Sequence, residues 1–219
     1  GLRINHAWDD PAGLAVSEKF RAQIASMVEA QRNTSQNINM LATAEGALGL
    51  IDDKLVRMRQ LAVAAGNGTL TTLDRSYLDV EFQQLKSEIT RVASVTNYNG
   101  QYLIDGTFAT TGILLQVGPN AVSGEDYYNV TMADMTSSGL ALTSSDLTTT
   151  AAAQSAIGTL DTAIDSKDTE RTRLGAYVER LNYTLENLQI QHENAVAAES
   201  TIRDADIAVE TSSFVRSQI

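Results

Sequence analysis

The chain has 219 residues, a formal net charge of -11, only 5% aromatic residues and no cysteine. The missing thiols exclude a disulfide framework and a thiolate zinc site, and the acidic balance argues against binding a nucleic-acid backbone. No apolar run approaches the length of a membrane span and no signal peptide is visible, while the opening on Gly1 without an initiator Met reads as an excised fragment.

Residues 1–8 show no period. Asp9 and Asp10 before Pro11 form a helix-start signal, an acidic cap followed by proline at the first position. From there a helix is expected to run to about Ala64. That is about 54 residues, or ~80 Å at ~1.5 Å per residue. Its seam is clearest at Leu41, Ala44, Leu48, Ile51, Leu55, Met58 and Ala62, in alternating steps of three and four. Upstream, Val16, Phe20, Ile24, Met27 and Val28 supply apolar positions, whereas Gln31 to Asn39 is polar enough to fray in isolation. Gly46 and Gly49 are expected to admit a closely packed neighbouring helix.

Gly66-Asn67-Gly68-Thr69 ends this helix. Thr72 or Asp74 caps a second one, with a seam at Leu78, Phe82, Leu85, Ile89 and Val92. The short link folds it back along the first. Asn97-Tyr98-Asn99-Gly100 is a turn signal. Beyond it the residues read as short strands, Ile113 to Val117 and Tyr127 to Met132, with Ser123 to Asp126 as the loop of a hairpin cap. Ser137 to Thr150 reads as a linker.

The last long helix is expected from about Ala151 to Arg203. Its seam is Leu174, Val178, Leu181, Leu185, Leu188, His192 and Ala195, flanked by the solvated charges Glu170, Arg171, Arg173, Glu179, Arg180 and Glu186. Gly175 interrupts it. Asp204-Ala205-Asp206 caps a further helical segment, Ile207 to Ile219. The fold expected is mainly α with a small β region: an elongated antiparallel bundle of three helices, two very long, capped by a β-hairpin region. Residues 1–96, 97–150 and 151–219 would form its N-terminal helices, its hairpin and linker, and its C-terminal helix and tail, together one domain.

Catalytic patterns are missing. His6 and His192 are far apart, and His192-Glu193 lacks the second histidine of a zinc helix. Asp204, Asp206 and Glu210 lack the glycine turn and ligand count of a calcium loop. No phosphate loop, dinucleotide fingerprint or nucleophile elbow is present, so neither an enzyme nor a cofactor or metal site is expected. Asn33-Thr34-Ser35, Asn67-Gly68-Thr69, Asn129-Val130-Thr131 and Asn182-Tyr183-Thr184 fit the glycosylation sequon, a triplet that arises often by chance.

Several ordered blocks resemble bacterial flagellin. They are Gly1-Leu2-Arg3-Ile4-Asn5 with Asp9-Asp10-Pro11-Ala12-Gly13-Leu14-Ala15, then Thr43-Ala44-Glu45-Gly46-Ala47-Leu48, then Arg57-Met58-Arg59-Gln60-Leu61-Ala62-Val63 with Asn67-Gly68-Thr69. Asn97-Tyr98-Asn99-Gly100 and Leu115-Gln116-Val117-Gly118 are later landmarks. Arg173-Leu174-Gly175-Ala176 and Ile202-Arg203-Asp204-Ala205-Asp206 match the C-terminal signature. His6, Ala7 and Trp8 depart from the family's usual residues, and the match covers most of the chain outside about 119–150.

The resemblance implies an extracellular subunit of the flagellar filament that self-assembles into a helical polymer for motility. The terminal filament-core segments would lie outside this chain, which alone would stay monomeric. The hook-filament junction protein and the periplasmic filament protein of spirochaetes are sibling alternatives. Other flagellin subunits and an export chaperone are the implied partners, with no nucleic acid and no membrane. Arg3, Asp9, Asp10, Arg203, Asp204 and Asp206 would be subunit contacts; the plainer reading of each is a helix cap or a surface charge. The resemblance also implies recognition by the flagellin-sensing Toll-like receptor of animal hosts. Arg57 matches the central arginine of that block, with Arg59, Gln60 and Leu61 on the helix face beside the seam and Glu88 on the second helix. Gln60 stands where Glu is common.

Overall fold

The computed structural model describes residues 1–218, 67% of them helical. Helix α1 spans Pro11–Ala65 and α2 spans Thr72–Val95. Two short strands, β1 (Asn97–Tyr98) and β2 (Gln101–Tyr102), precede a second pair, β3 (Ile113–Gln116) and β4 (Tyr127–Val130). Helix α3 spans Thr150–Arg203 and α4 spans Ile207–Gln218. The expected end of the last segment, Ile219, lies outside the described residues.

The chain forms two compact units. The larger comprises Gln36–Leu115 and Tyr128–Leu181, the smaller Gly1–Ser35, Gln116–Tyr127 and the chain from Asn182 onward. In the larger unit the expected seam of α1 is the core: Leu41, Ala44, Leu48, Ile51, Leu55, Met58 and Ala62 are all fully buried. From α2 come Phe82, Ile89 and Val92, and from α3 Leu160, Leu174 and Leu181. The intervening seam residues Leu78 and Leu85 are half-buried. Polar pairs show how the helices run. Arg57 bonds Glu81 and Arg75 bonds the carbonyl of Ala65, so α2 returns antiparallel along α1. Glu45 pairs with Arg171, Asp52 with Lys167 and Arg59 with Asp161, so α3 is antiparallel to α1 as well. The α1 members of these pairs recur every seventh residue, one position per two helical turns.

Two caps define the α1–α2 link. Thr71 is the N-cap of α2: its hydroxyl accepts from Asp74 N, while Asp74 accepts from Thr71 N, a complete capping box. The sequence placed this cap on Thr72 or Asp74; Asp74 is its third-position partner. At the other end of the link Arg75, itself buried, donates from Nε to Ala65 O at 2.8 Å and from Nη2 to Asn67 O at 2.9 Å. A cation on the last carbonyls of a helix offsets both their unpaired lone pairs and the negative end of the dipole.

The region 97–150 is more ordered than its turn-rich composition suggests. Asn99 and Gly100 both take positive φ (51° and 79°) between the paired residues Tyr98 and Gln101. This is the two-residue turn whose twist suits a hairpin. Ser137 to Thr150 is not a free linker: it is held along α2. Lys86 Nζ donates to Thr143 O and Ser145 O, Asp79 Oδ1 accepts from Leu147 N, and Thr90 bonds Ser137. Leu103, Ile104, Met132, Met135, Leu140, Leu142 and Leu147 are buried and complete the core.

Gly46 and Gly49 differ from expectation. A Cβ built on either meets nothing within 4 Å, so neither admits a closely packed helix within this chain. Gly175 likewise faces open space and does not interrupt α3.

Candidate assembly and recognition sites

In the smaller unit the start of the chain pairs with the α3–α4 junction. Leu2 and Asp204 form an antiparallel bridge, Arg3 N donates to Arg203 O at 2.7 Å, and Ala205 N donates to Gly1 O at 2.8 Å. The Arg3 guanidinium adds a bond to Ile202 O at 2.8 Å. Three of the six expected subunit-contact residues therefore meet at one place, Arg3, Arg203 and Asp204, with Asp206 following at the start of α4. Arg203, only 16% exposed, reaches Glu18 at 3.2 Å.

Asp9 and Asp10 organise the entry to α1. Asp10 Oδ1 accepts from Gly13 N, the N-cap the sequence predicts. Asp9 Oδ2 accepts from His6 N and Asn5 N, and these two backbone donors hold its carboxyl below the usual range. Asp206 caps α4 through Ala208 N and Val209 N, and Asp204 accepts from the Ser200 hydroxyl. Each acidic residue in the set thus has a local capping or turn role as well as an exposed or half-exposed position.

Large apolar side chains stand open in the same unit. Trp8 is 78% exposed and stacks on His6 with ring centroids 4.3 Å apart. Leu2, Ile207, Val209, Phe214 and Val215 are exposed, and α4 buries none of its residues. Open apolar residues of this size beside fixed charges are the composition of a surface that another surface covers.

The recognition residues lie in the larger unit, and the structure corrects their placement. Leu61 is 3% exposed and belongs to the core, not to the surface beside the seam. Arg57 and Arg59, two residues apart on a helix, point to different flanks. Arg57 grips Glu81 on α2 with Nε and Nη2, at 2.7 and 3.1 Å, and touches Gln60 at 3.4 Å. Arg59 turns to α3 and bonds Asp161 at 2.6 Å. Glu88 is taken by Arg91 within α2, at 2.6 and 2.7 Å. These hydrogen bonds hold Glu81, Glu88 and Asp161 below the usual carboxylate range and push the arginines higher. Val56, Arg59, Gln60 and Val63 line a shallow groove on α1. Arginines that already hold carboxylates keep their forks aligned, and their outer faces remain about half exposed (50% for Arg57).

Sequence reading missed Glu81, Asp161 and Arg75. Glu81 and Arg75 were within reach, because residues face one another at a fixed offset in an antiparallel hairpin and Arg57 needed an acid there. Asp161, 102 residues away, carried no local signal. Among the described residues no cluster of three or more His, Cys, Asp and Glu could hold a metal ion, and no helix is long and apolar enough to cross a membrane.

The bacterial flagellin N-terminal helical region matches residues 1–109, and the bacterial flagellin C-terminal helical region matches residues 157–219. A flagellin of Halalkalibacterium halodurans is 45% identical over 100% of this chain and 79% of its own length. The flagellar filament core protein flaB2 of Brachyspira hyodysenteriae is 37% identical over 100% of this chain and 80% of its own. Among solved structures, Bacillus cereus flagellin is similar at a TM-score of 0.62 and 37% identity, covering 77% of this chain and 94% of that one. A putative flagellar hook-associated protein from Vibrio parahaemolyticus shares the fold at a TM-score of 0.68 and 16% identity, covering 90% of this chain and 100% of that one.

Proposed function

Because this chain belongs to the bacterial flagellin family, whose members are structural subunits that polymerise into the flagellar filament, we propose that it is the repeating subunit of an extracellular filament and not a junction protein. The observation that carries this reading is the smaller unit's surface. There the paired segments around Arg3 and Arg203 to Asp206 lie in one unit with the open side chains of Trp8, Ile207 and Phe214. Contacts that pass from one subunit to the next without closing produce an open helical polymer. Arg3, Asp9, Asp10, Arg203, Asp204 and Asp206 are the residues assigned to those contacts, and an export chaperone is the partner assigned to keep the open apolar surface covered before assembly.

The test replaces the flagellin of a motile bacterium with the gene for a full-length flagellin that carries this chain together with the terminal filament-core segments. Continuous filaments under the electron microscope support the reading. Short stubs at the hook would transfer it to the junction class. Arg203→Glu, which sets an acid against Glu18 and Glu199, is expected to shorten or abolish filaments.

A second reading follows from the half-exposed Arg57. We infer that the flagellin-sensing Toll-like receptor of animal hosts recognises Arg57 with Gln60 and Glu88, and Arg59 on the other flank of α1, with Leu61 supporting them from the core. An arginine already held by a bidentate partner loses little entropy when a second surface lands on it. Receptor-reporter cells given Arg57→Ala protein should signal less than with the parent; equal signalling removes Arg57 from the surface.

A further inference from the structure

The geometry points to Asn67-Gly68 as a site of spontaneous covalent change, the conversion of Asn67 to aspartate and isoaspartate in the folded protein. The sequence holds two Asn-Gly pairs, Asn67-Gly68 and Asn99-Gly100. The chemistry is the same for both. The backbone N of the glycine attacks the asparagine Cγ, the N–Cγ bond forms, and ammonia leaves with the Cγ–Nδ2 bond. Water then opens the resulting succinimide at either carbonyl, giving aspartate or isoaspartate. The only co-reactant is water.

The fold treats the two pairs differently. Neither the Gly68 N–H nor the Gly100 N–H has an acceptor among the described residues, so neither nucleophile is tied into a ladder, and the difference lies at the asparagine. Thr69 N donates to Asn67 Oδ1 at 3.2 Å. That bond holds the side-chain amide against the following backbone. It also places a donor on the oxygen that becomes an oxyanion when Cγ is attacked, where such a donor is worth most. Asn67 and Gly68 are exposed and a Cβ built on Gly68 would meet nothing within 4 Å, as is also true of Asn99 and Gly100, so space to close the five-membered ring exists at both pairs. Asn99, by contrast, is fixed at φ 51° inside a two-residue turn clamped by Asn97–Tyr102 and Tyr98–Gln101. Isoaspartate there would lengthen a loop that the hairpin register does not allow to lengthen.

The product is also better accommodated at position 67. In isoaspartate the main chain runs through Cγ, and the former backbone carbonyl becomes a free carboxylate. At Asn67 that carbonyl oxygen is the one Arg75 Nη2 holds at 2.9 Å. The change converts a neutral acceptor into an anion on a buried guanidinium, a stronger, charge-assisted bond. The reaction therefore leaves a permanent acidic mark at the α1–α2 link.

The test is incubation of the folded chain in warm, mildly alkaline buffer, followed by labelling with an isoaspartyl methyltransferase and peptide mapping. Label is expected to accumulate on the peptide carrying Asn67 and to lag several-fold on the peptide carrying Asn99. In denaturant the two should label alike, since only the fold separates them. Asn67→Gln should abolish the first signal and leave the second. Thr69→Pro, which deletes the donor to Oδ1, should slow labelling at 67 in the folded state. Equal labelling of both sites in the native protein, or none at 67, overturns the inference.

Discussion

The two units use the same long helices to different ends. In the larger, both alternating positions of the α1 seam are buried without exception from Leu41 to Ala62. There α2 returns along one flank and α3 along another, and residues 128–150 complete the cover. In the smaller, Met27 and Ala30 are buried but Phe20 and Ile24 are half-buried, and on α3 Leu188 is buried while Leu185 is half-exposed. Apolar spacing alone thus does not make a core. It makes a stripe, and the number of elements laid against the stripe decides whether one or both of its rows leave water. A stripe with one open row remains free to be covered by something else.

The largest test of this contrast is truncation. Leu55→Ala in the larger unit should cost about 2–5 kcal/mol in urea unfolding, the usual range for a filled core position. Leu185→Ala in the smaller unit should cost roughly 1 kcal/mol, because its side chain never fully leaves solvent. Equal losses would erase the distinction.

Next in size is Arg75→Ala, which leaves the carbonyls of Ala65 and Asn67 without their charged donor. It should cost about 1.5–3 kcal/mol, read as a fall in melting temperature, and Arg75→Lys should recover little because an ammonium cannot serve both oxygens in a fork.

Smaller and opposite in sign is Gly46→Ala. With nothing within 4 Å of the added methyl, it should stabilise the protein by about 0.5–1 kcal/mol through helix propensity alone. A loss would mean that the space beside Gly46 is needed.

The smallest effect is with acid. Glu81, Glu88, Asp161 and the capping Asp74 all have folded-state affinities for protons below their ordinary values, through bonds from Arg57, Arg91, Arg59 and Thr71 respectively. A depressed carboxyl contributes stability above its unfolded pKa and loses it as pH falls through the lower, folded one. Unfolding midpoints should therefore drop only as the pH passes below the normal carboxylate range. Glu81→Gln should flatten part of that slope, and because these pairs are exposed the change is modest.

Much of this was legible in the residues. Pro11 after Asp9-Asp10, glycine at 66 and the uninterrupted three-four spacing place α1 within a residue of where it lies, because caps and periodicity are local. The same holds for Asn99-Gly100 and for Asp206 at the start of α4. Local rules failed where partners are distant in sequence. Ser137 to Thr150 looked like a linker because its hydrogen bonds go to Asp79, Lys86 and Thr90, which nothing nearby announces. Leu61 looked like a surface residue beside its arginines, yet it is buried once the second and third helices are in place. Arg57 and Arg59 looked like one patch, but the antiparallel return of two different helices draws them apart.

The ion pairs between α1 and α3 carry one more meaning in the order of their signs. Along α1 they read acid, acid, base (Glu45, Asp52, Arg59), and along α3 they read the complement, Arg171, Lys167, Asp161. Were one helix to slip a single rung past the other, either Asp52 would face Asp161 or Arg59 would face Lys167. The reversal at the third rung makes the ladder a lock with one key position, so apolar stripes that could otherwise glide are told where to stop.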